Sequence, residues 1–207
     1  MRRKGVDPRR WIAAVADDIW LHRLSDSAGG NVSLRMGDLV YMTPRCTGSR
    51  RRWHLSPKDV VVVDLHTREV LSRSHELSRE AGMHFAIYEA FPEVRAVIHA
   101  HSFYSMVFAS AGKPIPPTAE YTLGLGTIPL TEPAPAHSRA LADTVVRTLS
   151  ALKEKRPSYR MAVLVPAHGV VCVGKDLDEA YDVLERVETS ARINLYSSLL
   201  YLKSHSE

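Results

Sequence analysis

The spacing of apolar residues changes repeatedly along the chain, and each change marks an element. Between Trp11 and Leu24, Ile12, Val15, Ala16 and Ile19 recur at helical spacing, and the run ends in the turn-rich SDSAGGN; this predicts a helix entering a glycine loop. NVSLRMGDLVYMT then alternates around Met36, Gly37 and Asp38, the pattern of a hairpin, and VVVVDL at 60–65 is a β-branched run suited to a strand buried on both faces. In EAGMHFAIYEAF, residues 80–91, Met83, Ile87, Ala90 and Phe91 share one helical face, and Pro92 stops the helix. A strand ending in His99 follows. Ser138 is placed to cap a helix carrying Leu141, Val145, Leu149 and Leu152. MAVLV and VVCV flank the turn PAHG, so His168 stands at the tip of a second hairpin. Asp176 and Glu179 have capping-box spacing ahead of a last helix reaching about Leu200, with Ala180, Val183, Val187 and Ala191 on its apolar stripe. Alternating helices and strands without repeats or a low-complexity linker predict an α/β layered domain with helices packed on a mixed sheet.

Composition narrows the class. A chain of 207 residues with 45% hydrophobic and 24% charged side chains suits a single domain over residues 1–207, with its core at about 11–200. No apolar run approaches about 18 residues, and MRRKGVDPRRW lacks the apolar stretch that a signal peptide needs, so a soluble cytoplasmic protein without membrane contact is expected. Cys46 and Cys172 are far apart and read as ordinary thiols. The net charge of +4 permits anionic partners, but the arginines are not interleaved with aromatics as along a single-strand groove. Small phosphorylated substrates fit better than nucleic acid.

The chemistry concentrates in VRAVIHAHSFYS. In an extended strand residues i and i+2 project from one face, so His99 and His101 stand side by side with Ala100 turned away. With His168 they make a three-imidazole set sufficient for Zn²⁺ with an open position, although such a set also accepts Mn²⁺ or Co²⁺. Glu80 opens the helix leading into the metal strand, where the macrodipole favours its ionised form. A carboxylate beside a Lewis acid is the pairing that removes a proton next to a carbonyl. His84 lies one turn after Glu80 on the same face and reads as a structural residue that orients it. His22, His54, His66, His75, His137 and His205 have no spaced partner and receive no role. GGNVS at 29–33, Thr47-Gly48 and LSRE at 77–80 supply glycine backbone and neutral donors suited to a phosphate.

The ordered combination of Gly-Asn-x-Ser after a first helix, Thr-Gly, Ser-x-Glu with His four residues after the Glu, His-x-His-Ser and a late His-Gly resembles the class II aldolase and adducin family, from about Asp17 to Leu200. The resemblance implies a three-layer αβα sandwich on a mixed, mostly antiparallel sheet, and a divalent ion held by His99, His101 and His168. It implies Glu80 as acid/base, and phosphate loops at Gly30, Asn31, Thr47, Gly48 and Ser78. It further implies a homotetramer with sites at subunit boundaries, where Tyr121 matches by position a tyrosine that reaches the neighbour's site as proton donor. The implied activity is cleavage of a phosphorylated ketose, fuculose-1-phosphate-like, through a metal-stabilised enediolate. A dehydratase or decarboxylase would share that intermediate, and a non-catalytic adducin-like domain would lose the metal set.

Two departures bear on the substrate. The family's Pro-Ser-Ser-Glu is here Leu77-Ser78-Arg79-Glu80, so Arg79 replaces one phosphate-binding serine and offers a charged contact instead. The segment from Thr43 to Leu55, with Arg50, Arg51 and Arg52, is longer and more basic than the resemblance leads one to expect. Glu80 itself disfavours the epimerase branch, which carries Asp there.

Overall fold

The computed structural model describes residues 5–72, 76–156 and 158–203, with side chains described up to Leu200; His75 and His205 lie outside the described residues. Helix α1, Pro8–Leu21, starts three residues before the apolar period does, because the Asp7 carboxylate accepts from the Arg9 N–H and Pro8 supplies a pre-set first turn. Strands β1, Asn31–Met36, and β2, Leu39–Met42, form the expected hairpin, with Gly37 in the left-handed conformation at its tip. A short helix α2, Thr47–Arg51, precedes β3, Val61–Asp64. Then come α3, Ala81–Ala90, β4, Ala96–Ala100, α4, Phe103–Ser110, and the short α5, Glu120–Leu123. The chain finishes with α6, Arg139–Lys155, β5, Met161–Val165, β6, Gly169–Gly174, and α7, Leu177–Lys203.

Six strands form one sheet in the order β3-β2-β1-β4-β6-β5, and every pairing between them is antiparallel. The parallel component of the expected mixed sheet reduces to an isolated bridge between Leu130 and Leu164. Helices cover both faces. Val32, Leu34, Ile98, Leu164 and Cys172 pack with α1, α4 and α7, whereas Val97, Val163, Val171 and Val173, one residue out of phase, pack with α3 and α6. That alternation is why β4, β5 and β6 read as continuous apolar runs: a sheet buried on both faces needs no polar positions.

The predicted caps of the late helices are present. The Ser138 hydroxyl accepts from Leu141 N–H, the Asp176 carboxylate from Glu179 N–H, and the Glu179 carboxylate from Lys175 N–H. Helix α4 was not legible, because FYSMVFAS carries no polar stripe and its cap is distant in sequence. Glu188 on α7 accepts from the backbone N–H groups of Tyr104 and Ser105.

Candidate metal centre

Strand register places the three histidines. Asn31 at the start of β1 pairs with His99 near the end of β4, and Val170 at the start of β6 pairs with Ala100, so the ends of three interior strands meet. His99 shares a face with Val97 and points toward α3, as the two-residue period requires. His168 enters from the β5–β6 turn, where Ala167 is left-handed and His168 N–H closes on Val165 C=O. One nitrogen from each of His99, His101 and His168 lies within 4.8 Å of the others. Their rings are mutually tilted by 64–74°.

The donor set fits a cation for a specific reason. His99 Nδ1 lies 3.0 Å from Val170 C=O, so that nitrogen carries the proton and Nε2 is left with its lone pair. Burial drives the His99 pKa down to about 4, so the ring is neutral near pH 7. Its bare Nε2 nevertheless faces Glu80 Oε2 at 3.1 Å, and His168 Nε2 faces Glu80 Oε1 at 3.3 Å. Two acceptors at that distance repel unless a positive charge stands between them. His99 Nε2, His101 Nε2 and Glu80 Oε1 are all buried without a hydrogen-bond partner among the described residues. Three imidazoles with one open face and an adjacent carboxylate match the requirements of a catalytic divalent ion.

Glu80 sits at the N-terminal end of α3, 5% exposed. Burial pushes its carboxyl up; positive charge on the histidine side, nearest at His99 and then His168, together with the Asn31 amide, pulls it below the ordinary carboxylate range. Asn31 Nδ2 donates to Oε2 at 3.2 Å, and the Glu80 backbone N–H reaches Ser78 Oγ.

Glycines next to the cluster are there for packing. A Cβ on Gly29 would lie 2.4 Å from His101 Cε1; one on Gly169 would lie 2.5 Å from Ala100 O; one on Gly48 would lie 2.8 Å from Ser27 O. Gly30, at φ +97°, backs onto Trp53, whose indole N–H donates to Asp26 C=O.

A cavity of about 250 Å³ opens over the cluster, and Gly30, Asn31, Thr47, Gly48, Ser78 and Arg79 all line it. Glu80, His101 and His168 complete its wall. The residues expected to bind phosphate are therefore gathered beside the histidines, although the Asn31 amide is engaged at both ends by His84 and Glu80, and the Thr47 hydroxyl donates to Pro44 C=O. Arg79 is exposed and has no ion pair among the described residues. Tyr121 is not brought to this chain's cluster: it is half exposed on α5, under the Arg186 guanidinium of α7. Of the arginine run, Arg50 and Arg51 pair with Glu76 at the surface.

Two residues that spacing did not single out join the site. His137, left-handed at φ +64° just before the α6 cap, places Nδ1 3.4 Å from Glu80 Oε1. Asp26 lies 3.3 Å from His101 Nδ1 and also accepts from the Ala28 and Gly29 N–H groups. Asp26 had a weak signal in its turn-rich loop; His137 had none, since no other histidine is within thirty residues of it.

The profile described as class II aldolase and adducin N-terminal domain matches residues 10–195. The chain is similar to an L-fuculose phosphate aldolase of Methanococcus maripaludis strain C7, 33% identical over 81% of this chain and 84% of that one. It is also similar to a methylthioribulose-1-phosphate dehydratase of Enterobacter sp. strain 638, 26% identical over 88% of each. Among solved structures, an L-fuculose 1-phosphate aldolase superposes with a TM-score of 0.82 at 24% identity, over 95% of this chain and 88% of that one, which bears on the fold.

Proposed function

The chain belongs to the class II aldolase and adducin family, and on that footing we propose that it is a metal-dependent lyase that cleaves a phosphorylated ketose, fuculose-1-phosphate-like, to dihydroxyacetone phosphate and an aldehyde. The observation that carries the reading is the buried Glu80 carboxylate facing the bare Nε2 of His99 across 3.1 Å, beside two further imidazoles. His99, His101 and His168 would hold one divalent ion, Zn²⁺ in the first instance with Mn²⁺ or Co²⁺ as substitutes, which supplies a Lewis acid for negative charge developing on substrate oxygens.

The rest of the chemistry belongs to the chain. Glu80, ionised, is placed to take the hydroxyl or carbon-bound proton next to the carbonyl and to return it. Glu80 Oε1 has no hydrogen-bond partner among the described residues and is the atom free to do so. The substrate phosphate is assigned to the neighbouring pocket lined by Gly30, Asn31, Thr47, Gly48 and Ser78, with Arg79, which has no ion pair among the described residues, as a charge-assisted donor. The fully buried Trp53 and the glycines pack against the back of the cluster.

Tyr121 is assigned to the site of a neighbouring subunit in a homotetramer, as proton donor. Its exposure beside the exposed Leu123, away from its own cluster, supports that placement. No described helix is long and apolar enough to cross a membrane, and a phosphorylated substrate with two unpaired thiols suits the cytoplasm.

The dehydratase relative favours a second reading in which the same proton abstraction expels water. A panel of ketose phosphates offered to the zinc-loaded protein separates the two. Dihydroxyacetone phosphate as product, with solvent deuterium entering its C3 position, is the expected result. Loss of water from the substrate would move the assignment to the dehydratase, and neither reaction on a zinc-loaded protein would overturn both.

A further inference from the structure

Behind Glu80 runs a chain of buried side chains whose hydrogen-bond directions are each determined by the next. The Glu80 carboxylate only accepts, so the Asn31 amide, 3.2 Å away, must turn its NH₂ toward it and its carbonyl away. That carbonyl meets His84 Nε2 at 2.5 Å, and a carbonyl oxygen has no proton, so Nε2 carries one. His84 is fully buried, and burial takes its pKa down to about 3, leaving the ring neutral with a bare Nδ1. Nδ1 accepts from the Ser33 hydroxyl at 2.7 Å. The one Ser33 proton is thereby used, so the 2.6 Å contact between Ser33 Oγ and Tyr88 Oη is donated by the phenol. The other acceptor within reach of that phenol, Arg95 C=O, is at 3.4 Å.

The chain arises from two ladders in register. Asn31 and Ser33 are two apart on β1 and face α3; Glu80, His84 and Tyr88 are four apart along α3. Two strand residues advance about 6.7 Å and four helical residues about 6.0 Å, so the rows match side chain for side chain.

We infer that Tyr88, Ser33 and His84 are positioning residues for Glu80, and that their task is to hold the Asn31 amide in the one orientation that donates to the carboxylate. A flipped amide would put Oδ1 against Glu80 at the same 3.2 Å, replacing an attraction by a repulsion and turning the carboxylate away from His99 and His168. Ser33, His84 and Tyr88 are buried, and Asn31 reaches the cavity wall. The kinetic consequence rests on the lyase reading; the tautomer does not.

Two measurements test the chain. In zinc-loaded protein labelled with ¹⁵N-histidine, His84, identified by its absence in His84→Gln, is expected as a single neutral tautomer with its proton on Nε2; an Nδ1–H ring or an exchanging mixture would overturn the inference. The second compares His84→Gln with His84→Asn by exchange of dihydroxyacetone phosphate protons with solvent deuterium. A glutamine amide reaches the Nε2 position and still donates to Asn31; an asparagine amide reaches only the Nδ1 position. His84→Gln is expected to exchange at least tenfold faster than His84→Asn at saturating probe, with the same half-saturation, in the range of about 10–100-fold found for outer-shell partners. Equal rates in two variants of matched thermal stability would overturn it. Absence of exchange in the unsubstituted protein would instead remove the aldolase reading and leave the tautomer to decide the chain.

Discussion

Gly29→Ala isolates the demand that the site places on backbone with no side chain. Gly29 has an ordinary φ, so alanine introduces no backbone strain there. Its methyl would stand 2.4 Å from His101 Cε1 and 2.9 Å from His101 Nε2, whereas ordinary contacts begin at 3.4 Å. The ring must therefore retreat by 1.0 Å, or rotate so that Nε2 leaves the cluster. Zinc–nitrogen bonds are about 2.0–2.1 Å and tolerate roughly 0.2 Å, so the displacement is about five times what coordination allows. Loss of one ligand in three should weaken zinc binding by at least about 100-fold, near 2.7 kcal/mol. Competition against a chromophoric chelator measures this directly, with far-ultraviolet circular dichroism showing that the fold persists. Gly82→Ala provides the control: nothing lies within 4 Å of its added methyl, and on α3 it should stabilise by about 0.5–1 kcal/mol without touching zinc affinity. Zinc affinity within twofold of the unsubstituted protein in Gly29→Ala would refute the packing argument.

Purified protein should carry close to one divalent ion per chain by elemental analysis, and chelation should abolish turnover reversibly, as expected for a three-histidine site. Glu80→Gln keeps the shape and the metal but removes the proton acceptor, so turnover should fall by roughly 10²–10⁴ with zinc content unchanged; exchange of the substrate proton at an undiminished rate would exclude Glu80. Tyr121→Phe should lower turnover without altering zinc content or the tetrameric mass seen by light scattering, and an active monomer would contradict the cross-subunit role. His84 has a folded pKa depressed to about 3 against 6.5 unfolded, so its contribution is complete above pH 6.5 and is lost as pH falls toward 3. Urea unfolding free energy should therefore fall further between pH 7 and pH 4.5 in the original protein than in His84→Gln, and equal falls in the two would refute the buried neutral ring.

Local physics was sufficient to read much of this molecule from its sequence. Each of the hairpins, the caps at Ser138 and Asp176, the stop at Pro92 and the shared face of His99 and His101 follows from periodicities or turn chemistry within a few residues. The three-histidine cluster was legible because His99 and His101 are two residues apart and His168 sits at a turn. Helix α4 was not, since its cap is a carboxylate more than eighty residues onward, and a sequence window cannot contain it. The same limit hid His137 and Asp26, whose partners come from other elements. Gly29 and Gly48 were read as loop residues making room for an anion; the packed structure gives them a second reason, the close passage of His101 and of the 26–27 backbone. His84 was seen to share a face with Glu80, but only the register of β1 against α3 decided that it acts through Asn31. Residue spacing along one element is written in the chain, whereas the pairing of one element's spacing with another's exists only once the sheet and helices have packed.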